Sequence, residues 1–255
     1  MNDRILTLAR EHAPCYLYEY DVMQRQVETL RQTFPRYDLL YSIKANPFPP
    51  VVRALAGLGL GADAASAPEV LLSRKCGMDR TDIFFSAAGK SDAALEAAWD
   101  EGEIIADSLG EVVRIGALCE KKGQHRAIGV RINPAFGMGG AAGGSSKFGI
   151  NEEDLPRLKA LLDTLPVTVK GIHVHLKSQN LDAGVLGGCY RDSWALAKRV
   201  RDALECEMRY VNFGSGVGVA YDEAFEQPMA LERLRTYTDA IAADNDATLR
   251  ARLMI

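Results

Sequence analysis

The chain has 255 residues, enough for one large α/β domain or two small ones with a substantial core. Its 30 Lys and Arg residues face 34 Asp and Glu residues, and this balance argues against a nucleic acid or an anionic membrane as a partner. The N-terminus lacks the apolar core of a signal peptide, no apolar run could span a bilayer, and the five cysteines show no CxxC spacing. We therefore expect a soluble cytoplasmic protein without a disulfide or a metal site.

Short β-rich runs alternate along the chain with amphipathic helical stretches. The predicted strands are Leu39–Lys44, Gly61–Ala65, Ile83–Ala87, Ile104–Asp107, Ala127–Asn133, Val169–Leu176, Tyr210–Phe213 and Arg252–Ile255. The predicted helices are Pro50–Leu58, Pro68–Cys76, Ser91–Glu101, Leu109–Lys121, Glu152–Leu165, Leu186–Leu204 and Pro228–Asp244. Alternating βα units indicate a parallel sheet, and eight strands fit an α/β protein of the (β/α)8 TIM barrel type better than an open doubly wound sheet.

The two ends of the chain carry separate expectations. Residues 1–20 are predicted to form a helix and then an extended strand at Cys15–Tyr20, ahead of a barrel over residues 21–255. The eighth strand coincides with the end of the sequence, which predicts an open barrel edge. We therefore expect a fragment, or half of a split protein, with its barrel truncated in the eighth strand.

Lys44 is the first candidate for chemistry. It ends the first predicted strand, within the segment DLLYSIKANPF, and Asn46-Pro47 follows. An ammonium at the last inward position of a buried strand is costly unless it is paired, neutral or covalently used. A lysine amine is the usual nucleophile toward an aldehyde cofactor, with which it forms a Schiff base. The alternative, a side chain that extends from the strand end to solvent, is the commoner case for a lysine considered alone.

A glycine-rich loop follows the seventh predicted strand, in the sequence NFGSGVG over residues 212–218. TIM barrels place their active site at the C-terminal strand ends and commonly bind phosphate in the loops after strands seven and eight. Glycines let backbone N–H groups converge on phosphate oxygens. The loop would lie on the same rim as Lys44, although the GxGxG pattern is equally common in simple tight turns and lacks dinucleotide-fold spacing.

The sixth predicted strand ends in GIHVHLKSQ, and alternation places His173, His175 and Lys177 on one face. A metal pair is one interpretation, but no third ligand is evident and Lys177 would repel a cation. His173 could equally be a hydrogen-bonded interior residue. Against a flat heteroaromatic cofactor, His175 would stack on the ring and Ser178 would donate to an oxygen.

Further candidates lie on the same predicted rim. Asp63 and Ser66 follow the second strand, and Arg131 lies near the end of the fifth. Asp63 could instead cap the next helix, or pair with Arg131 as a structural ion pair. The Gly- and Ala-rich stretch Phe136–Ser146 has the composition of a mobile lid, or of an ordinary flexible loop.

Five motifs together resemble one family. YSIKANP, GADAASAPEV, RINP…SSKFGI, GIHVHLKSQ and NFGSGVG follow one another as in the fold-type III pyridoxal-phosphate-dependent decarboxylases of diaminopimelate, ornithine and arginine. The resemblance implies pyridoxal 5′-phosphate as the cofactor and Lys44 and His175 as catalytic residues. Lys44 matches the lysine of the internal aldimine, and His175 the histidine stacked on the pyridine ring. The remaining implied cofactor-binding residues are Asp63, Arg131, Ser178, Gly214 and Gly216.

The resemblance also implies an activity, decarboxylation of a diaminopimelate-like, basic or secondary-metabolite amino acid by a homodimer. Four departures from the family's sequence limit this implication. Lys177 replaces a family glycine, Ser215 interrupts the glycine triplet, and the sequence ends where an Glu-Pro-Gly-Arg motif would begin. The family's C-terminal β domain, with a catalytic cysteine, is absent as well. We therefore expect full activity to need this missing part.

Three alternative interpretations remain. A barrel-only pyridoxal-phosphate homeostasis protein fits the length, but HVHLKSQ favours the decarboxylases. A pyridoxal-phosphate-dependent amino-acid racemase of the alanine racemase type uses a similar lysine motif without the HxHxxSQ pattern. A sugar-phosphate barrel enzyme with a Schiff-base lysine usually carries that lysine on a later strand.

Overall fold

Eight parallel strands and their connecting helices form a barrel in the computed structural model, which describes residues 3–144, 146–222 and 227–255. The barrel strands are β1 (Leu40–Ser42), β2 (Gly61–Ala64), β3 (Ile83–Phe85), β4 (Glu103–Ala106), β5 (Arg126–Asn133), β7 (Val167–His173), β8 (Tyr210–Asn212) and β9 (Arg252–Met254). A two-residue strand, β6 (Ile150–Asn151), pairs with β5 outside this order. The predicted TIM barrel is confirmed, and each of the eight predicted strands overlaps a barrel strand.

Nine α-helices lie within the described residues; two precede β1, and the others lie between successive strands. They are α1 (Asp3–His12), α2 (Tyr20–Thr33), α3 (Pro49–Gly57), α4 (Ala67–Lys75), α5 (Asp92–Ala98), α6 (Leu109–Lys122), α7 (Leu155–Leu162), α8 (Ala183–Leu204) and α9 (Leu231–Ala247). Ser66, Ser91 and Ser108 begin α4, α5 and α6, each accepting a hydrogen bond from a backbone N–H of the first turn. Within the described residues, no helix combines the length and the apolar character needed to cross a membrane.

The last strand closes the barrel. Strand β9 pairs with β8 on one side and bonds to the segment that enters β1 on the other. The N–H of Asp38 donates to Leu253 O (2.9 Å), Ile255 N–H donates to Asp38 O (3.0 Å), and Leu40 N–H donates to Ile255 O (3.0 Å). The expected open edge is therefore wrong, because the backbone groups of β9 have partners on both sides.

The barrel interior is apolar away from the C-terminal ends of the strands and polar near those ends. Phe84, Ile105, Tyr210 and Met254 form a buried cluster inside the strands, with the Phe84 and Tyr210 rings 5.2 Å apart edge to face. The Tyr210 ring fills the space above Gly171, where an added Cβ would lie 2.3 Å from a ring carbon. Along each strand, every second side chain points into the barrel. The inward side chains nearer the C-terminal strand ends are polar and face an open cavity.

The N-terminal segment departs from its prediction. Helix α1 forms as expected, but residues 13–19 contain no strand, and Tyr20 already belongs to α2. The alternation at Cys15–Tyr20 was a poor guide because the segment has no strand partner among the described residues. Its side chains remain exposed, including Tyr16, Leu17 and Tyr18.

A buried ion pair ties two strand ends to helix α6. Lys90 Nζ lies 3.0 Å from Glu111 Oε1, and the two side chains are 0% and 1% exposed. Lys90 also donates to the carbonyls of Ala87 and Ile105, each at 2.6 Å, while Glu111 Oε2 accepts from Asp107 N–H at 2.8 Å. Burial lowers the pKa of Lys90, and the neighbouring Glu111 carboxylate partly offsets that effect. The pair fixes the backbone beside the cavity.

We expect Lys90→Met to lower the free energy of unfolding by about 3–5 kcal/mol, because it leaves the Glu111 carboxylate buried without its cation. The double variant Lys90→Met/Glu111→Gln keeps an oxygen for Asp107 N–H, removes the stranded charge and should recover much of the loss. Urea unfolding of both variants measures this. A single variant as stable as the wild-type chain would contradict the assignment.

Candidate active site

One cavity of about 730 Å³ opens at the C-terminal ends of the barrel strands. Parallel strands that close into a barrel present all these ends at one rim, so side chains distant in sequence meet there. The cavity brings together every predicted site residue: Lys44, Asp63, Arg131, His175, Ser178, Gly214 and Gly216. What each residue does there remains a prediction, but the predicted grouping is present.

Lys44 reaches the cavity from a turn. Strand β1 ends at Ser42, and Lys44 lies in the 3₁₀ turn Ile43–Ala45, closed by the Asn46 N–H donating to Ile43 O at 3.1 Å. The side chain is exposed at the cavity wall. The expectation of a lysine at the last inward position of a buried strand is therefore wrong, because the chain turns two residues earlier. The site, rather than burial, makes this lysine notable.

The glycine-rich loop after β8 forms a backbone cradle. Gly214 and Gly216 have positive φ of 65° and 101°, and Ser215 lies between them at 52°. A Cβ on Gly214 would lie 2.4 Å from Val174 O, and one on Gly216 would lie 2.7 Å from Lys177 O, so side chains would collide with the neighbouring loop. Asn212 Oδ1 accepts the Gly214 N–H at 2.8 Å.

The same loop leaves backbone donors available to an anion. In the described part of the chain, the N–H groups of Ser215 and Gly216 donate to no protein acceptor. The Tyr190 hydroxyl, from buried α8, donates to Ser215 O at 3.0 Å and braces the loop from outside. Converging N–H groups with positive φ are a common phosphate-binding arrangement, so the loop fits the phosphate of the expected cofactor.

His175 is held as a neutral ring between two partners. Its Nδ1 lies 2.7 Å from Gly214 O, and its Nε2 lies 3.3 Å from Ser178 Oγ. Because a carbonyl only accepts, Nδ1 carries the proton and Nε2 accepts from the serine hydroxyl. Burial lowers the pKa of His175, while the bond to Gly214 O partly opposes this. A neutral, fixed and planar side chain at the cavity wall suits contact with a flat ring.

His173 lies deeper than His175. It ends β7 between Arg131 of β5 and Asn212 of β8, and it is buried. Burial holds its pKa well below the usual 6.5, and the nearby Arg131 cation acts in the same direction. Its Nδ1 has no hydrogen-bond partner in the described structure. The interpretation of His173 as a hydrogen-bonded interior residue is thus correct in its burial and wrong for this atom.

Asp63 neither caps the next helix nor forms an ion pair with Arg131, the two structural roles considered for it. Its carboxylate accepts from the hydroxyls of Ser42 (3.4 Å) and Ser86, so three neighbouring strand ends are joined across the cavity floor. Ser66, rather than Asp63, caps α4 by accepting the Glu69 N–H at 3.4 Å. Ser66 therefore serves the helix and is not a cavity residue.

Arg131 pairs with a different carboxylate from the one expected. Its guanidinium lies 3.5 Å from Asp107 Oδ1, with side chains 13% and 7% exposed, and it stacks 4.8 Å from the Phe148 ring centre. Burial lowers the pKa of Arg131, and the Asp107 and Asp63 carboxylates partly offset this. The arginine is thus a fixed cation in the cavity wall rather than one half of an Asp63 ion pair.

Two sequence features lie apart from the cavity. Lys177 is exposed and is not among the cavity residues, because β7 ends at His173 and the predicted alternation does not extend to it. The stretch Phe136–Ser146 folds back on itself, with Gly137 N–H donating to Ala141 O at 2.8 Å and an antiparallel bridge between Phe136 and Ala142, although Ser145 lies outside the described residues. A lid role for this stretch remains a prediction.

No group of three His, Cys, Asp or Glu side chains within the described ranges is placed to hold a metal ion.

Several cavity residues escaped the sequence analysis. Ser42, Ser86, Asn212 and Phe148 line the site beside the predicted set. Ser42, Asn212 and Phe148 belong to motifs already recognised, YSIKANP, NFGSGVG and SSKFGI, so their position in those motifs was an available signal. Ser86 and the ion-pair partner Asp107 had no comparable signal, because single polar residues after short strands are common.

Comparison with known proteins identifies the family. Residues 20–251 match the family model described as pyridoxal-dependent decarboxylase, pyridoxal binding domain. The chain belongs to this family and corresponds to its cofactor-binding barrel, and pyridoxal phosphate is its cofactor. The predicted family and cofactor are both confirmed.

Similar proteins include several decarboxylases. The chain is 30% identical to L-glutamyl-[BtrI acyl-carrier protein] decarboxylase of Niallia circulans, covering 93% of this chain and 57% of that protein. It is 29% identical to diaminopimelate decarboxylase of Bacteroides thetaiotaomicron, covering 86% and 58%. The fold matches diaminopimelate decarboxylase from Helicobacter pylori complexed with L-lysine at a TM-score of 0.85 and 24% identity, covering 99% and 65%. The chain thus spans little more than half the length of these curated relatives.

The depressed pKa of His173 predicts a stability that falls in mild acid. The unfolded chain takes up a proton near pH 6.5 and the folded chain does not, so stability is full above that pH and is lost progressively below it. Each such histidine contributes a slope of at most about 1.4 kcal/mol per pH unit. Urea unfolding between pH 7.5 and 5.5 measures the slope. His173→Asn should reduce it, the exposed His125→Asn serves as control, and equal slopes in both variants would refute this cause.

Proposed function

We propose that this barrel binds pyridoxal phosphate through Lys44 and serves an enzyme that removes the α-carboxylate of an amino acid as CO₂. One observation carries the proposal. A single cavity combines an exposed lysine amine, a neutral histidine held flat and a glycine loop with available N–H groups. A phosphate, an aldehyde and an aromatic ring on one molecule need these three kinds of group together.

Different residues of the cavity would hold the phosphate, the aldehyde carbon and the ring of the cofactor. The N–H groups of Ser215 and Gly216 would bind the phosphate. A side chain on Gly214 or Gly216 would collide with the neighbouring loop. Lys44 would hold the cofactor covalently, as a Schiff base to its aldehyde carbon. His175 would contact the ring face, kept in orientation by Gly214 O and the Ser178 hydroxyl.

Charge in the cavity supports the same chemistry. When bound, the cofactor supplies an electron sink for the pair of electrons that remains at the α-carbon as CO₂ leaves. Arg131, fixed by Asp107 and Phe148, offers a permanent positive charge to anionic oxygens of cofactor or substrate.

The described residues leave one electrostatic role open. Asp63 is the one carboxylate among the cavity residues of the described structure, and serine hydroxyls already occupy both of its oxygens. A protonated ring nitrogen needs a carboxylate partner to act as an electron sink. The chain spans little more than half the length of its relatives, and we propose that this partner and a proton donor for the α-carbon come from a part of the protein corresponding to the rest of that length, so that full activity needs more than residues 1–255.

The substrate class follows from the relatives only in outline. Two of the relatives are a diaminopimelate decarboxylase and a decarboxylase of a glutamyl group on an acyl-carrier protein, so we propose an amino acid of this range as substrate. A homodimer and a cytoplasmic location remain predictions. Carbon dioxide release from the intact protein, offered meso-diaminopimelate, L-ornithine, L-arginine or carrier-bound L-glutamate in turn, would distinguish the candidates.

Borohydride trapping tests the anchor. Incubation with pyridoxal phosphate, reduction and peptide mass mapping should mark Lys44, because it is the one lysine among the described cavity residues. Lys44→Ala should abolish the mark, while Lys177→Ala, a change outside the cavity, should leave it. Labelling of any other lysine in place of Lys44 would overturn the proposed anchor.

Loop geometry provides a second test. We expect Gly216→Ala to weaken pyridoxal phosphate binding at least about tenfold, since the added Cβ meets Lys177 O and a residue with a side chain is strained at φ 101°. Gly188→Ala is a matched control, because nothing lies within 4 Å of a Cβ there. Fluorescence titration gives both dissociation constants. Equal affinity in the two variants would remove the phosphate role from this loop.

Purified chain 1–255 tests the need for outside groups. It should bind pyridoxal phosphate and release no measurable CO₂ from any of the four substrates, because the proposed ring-nitrogen partner and proton donor lie outside residues 1–255. Radiometric CO₂ capture is the measurement. Turnover by this chain alone would refute the proposed dependence while leaving the anchor assignment intact.

A further inference from the structure

The N-terminal segment contacts the loop that follows Lys44. The Tyr18 ring stacks on Phe48, with ring centres 5.9 Å apart and planes inclined by 29°. The Tyr18 hydroxyl accepts a hydrogen bond from Asn46 Nδ2 at 2.9 Å. Tyr18 lies before residue 20, where the match to the family model begins. A segment without helix or strand therefore has a specific polar contact two residues from the proposed anchor.

Asn46 uses all of its polar groups in this region. Its N–H donates to Ile43 O at 3.1 Å and closes the turn that carries Lys44. Its carbonyl accepts from the Tyr41 hydroxyl at 3.2 Å, and its Oδ1 accepts from Phe48 N–H at 3.1 Å. With Nδ2 bonded to Tyr18, the residue links strand β1, the turn and the N-terminal segment.

The turn needs such support because it is short and its lysine is exposed. A three-residue 3₁₀ turn has poor hydrogen-bond geometry and little stability of its own. A long, exposed side chain on it samples many rotamers, and only some direct the amine into the cavity. Holding the backbone of Ile43–Ala45 in one conformation limits where the Lys44 side chain begins.

We propose that Tyr18 and Asn46 are positioning residues for Lys44, acting through the hydrogen bond between them. The inference rests on the proposed function, in which Lys44 forms the covalent bond to pyridoxal phosphate. Neither residue lines the cavity, so neither takes part in the reaction. Their effect is to set the Lys44 turn so that its amine meets the aldehyde.

Two probes separate this role from general damage to the site. Pyridoxal 5′-phosphate reports the Lys44 reaction: amine and aldehyde condense to a C=N bond with loss of water, and borohydride then reduces that bond to a stable secondary amine. Pyridoxine 5′-phosphate has an alcohol in place of the aldehyde and reports only non-covalent binding. A positioning role affects the first probe and spares the second.

The variants are Tyr18→Phe, which removes the hydroxyl and keeps the ring stack, Asn46→Ala and the double variant. Tyr16→Phe is the matched control, because Tyr16 is 90% exposed, against 44% for Tyr18. We expect Tyr18→Phe to slow trapping of Lys44 about threefold to tenfold, the loss of one hydrogen bond. Asn46→Ala should slow it further, and the double variant no more than Asn46→Ala, because both changes remove one shared bond.

Pyridoxine 5′-phosphate should bind all variants with the wild-type dissociation constant, and Tyr16→Phe should trap at the wild-type rate. Unchanged trapping in Tyr18→Phe, equal slowing in Tyr16→Phe, or additive effects in the double variant would each overturn the positioning role. Weaker pyridoxine 5′-phosphate binding in Tyr18→Phe would also overturn it, since the cavity itself would then have changed. If the wild-type chain is trapped at another lysine, the proposed function fails and this role fails with it.

Discussion

The site depends first on the hydrogen bonds that close the parallel barrel. Strand β9 bonds to β8 and, through Asp38 and Leu40, to the segment that enters β1. Closure brings the turn after β1 and the loop after β8 to the same rim, although about 170 residues separate them in the chain. Without that closure, Lys44 and the glycine loop would not face one cavity.

One part of the barrel interior stabilises the fold, and another part lines the binding cavity. Phe84, Ile105, Tyr210 and Met254 fill the lower interior and exclude water, while the inward side chains above them are polar. Buried polar groups are costly without partners, and most here have them: Asp63 with two serines, Arg131 with Asp107, and Lys90 with Glu111. Among the described residues, the Nδ1 of His173 at the cavity and the hydroxyl of Tyr210 in the interior below it are buried without a hydrogen-bond partner.

Backbone, rather than side chains, holds the most demanding parts of the site. The loop after β8 adopts positive φ at three consecutive residues, Gly214, Ser215 and Gly216. The two glycines tolerate this conformation, and hydrogen bonds with Asn212, Tyr190 and His175 stabilise the loop. The turn that carries Lys44 is similarly held by Asn46. In both cases hydrogen bonds with neighbouring residues fix backbone that has little stability of its own, which is how a short loop can present groups to a ligand in one geometry.

The sequence by itself determined the barrel, its eight strands, the family and the seven residues predicted to meet at the site. Strand periodicity and local motifs depend on residues close in the chain, so these features could be read from it. Only the tertiary structure decided which side chains form ion pairs, how exposed Lys44 is and which backbone groups bond to β9. Asp107 rather than Asp63 pairs with Arg131, Lys44 lies on a turn rather than in a buried strand, and β9 is bonded on both sides. Ion pairs, exposure and strand closure depend on residues brought together across the fold, and no local pattern encodes which of several similar side chains will be nearest.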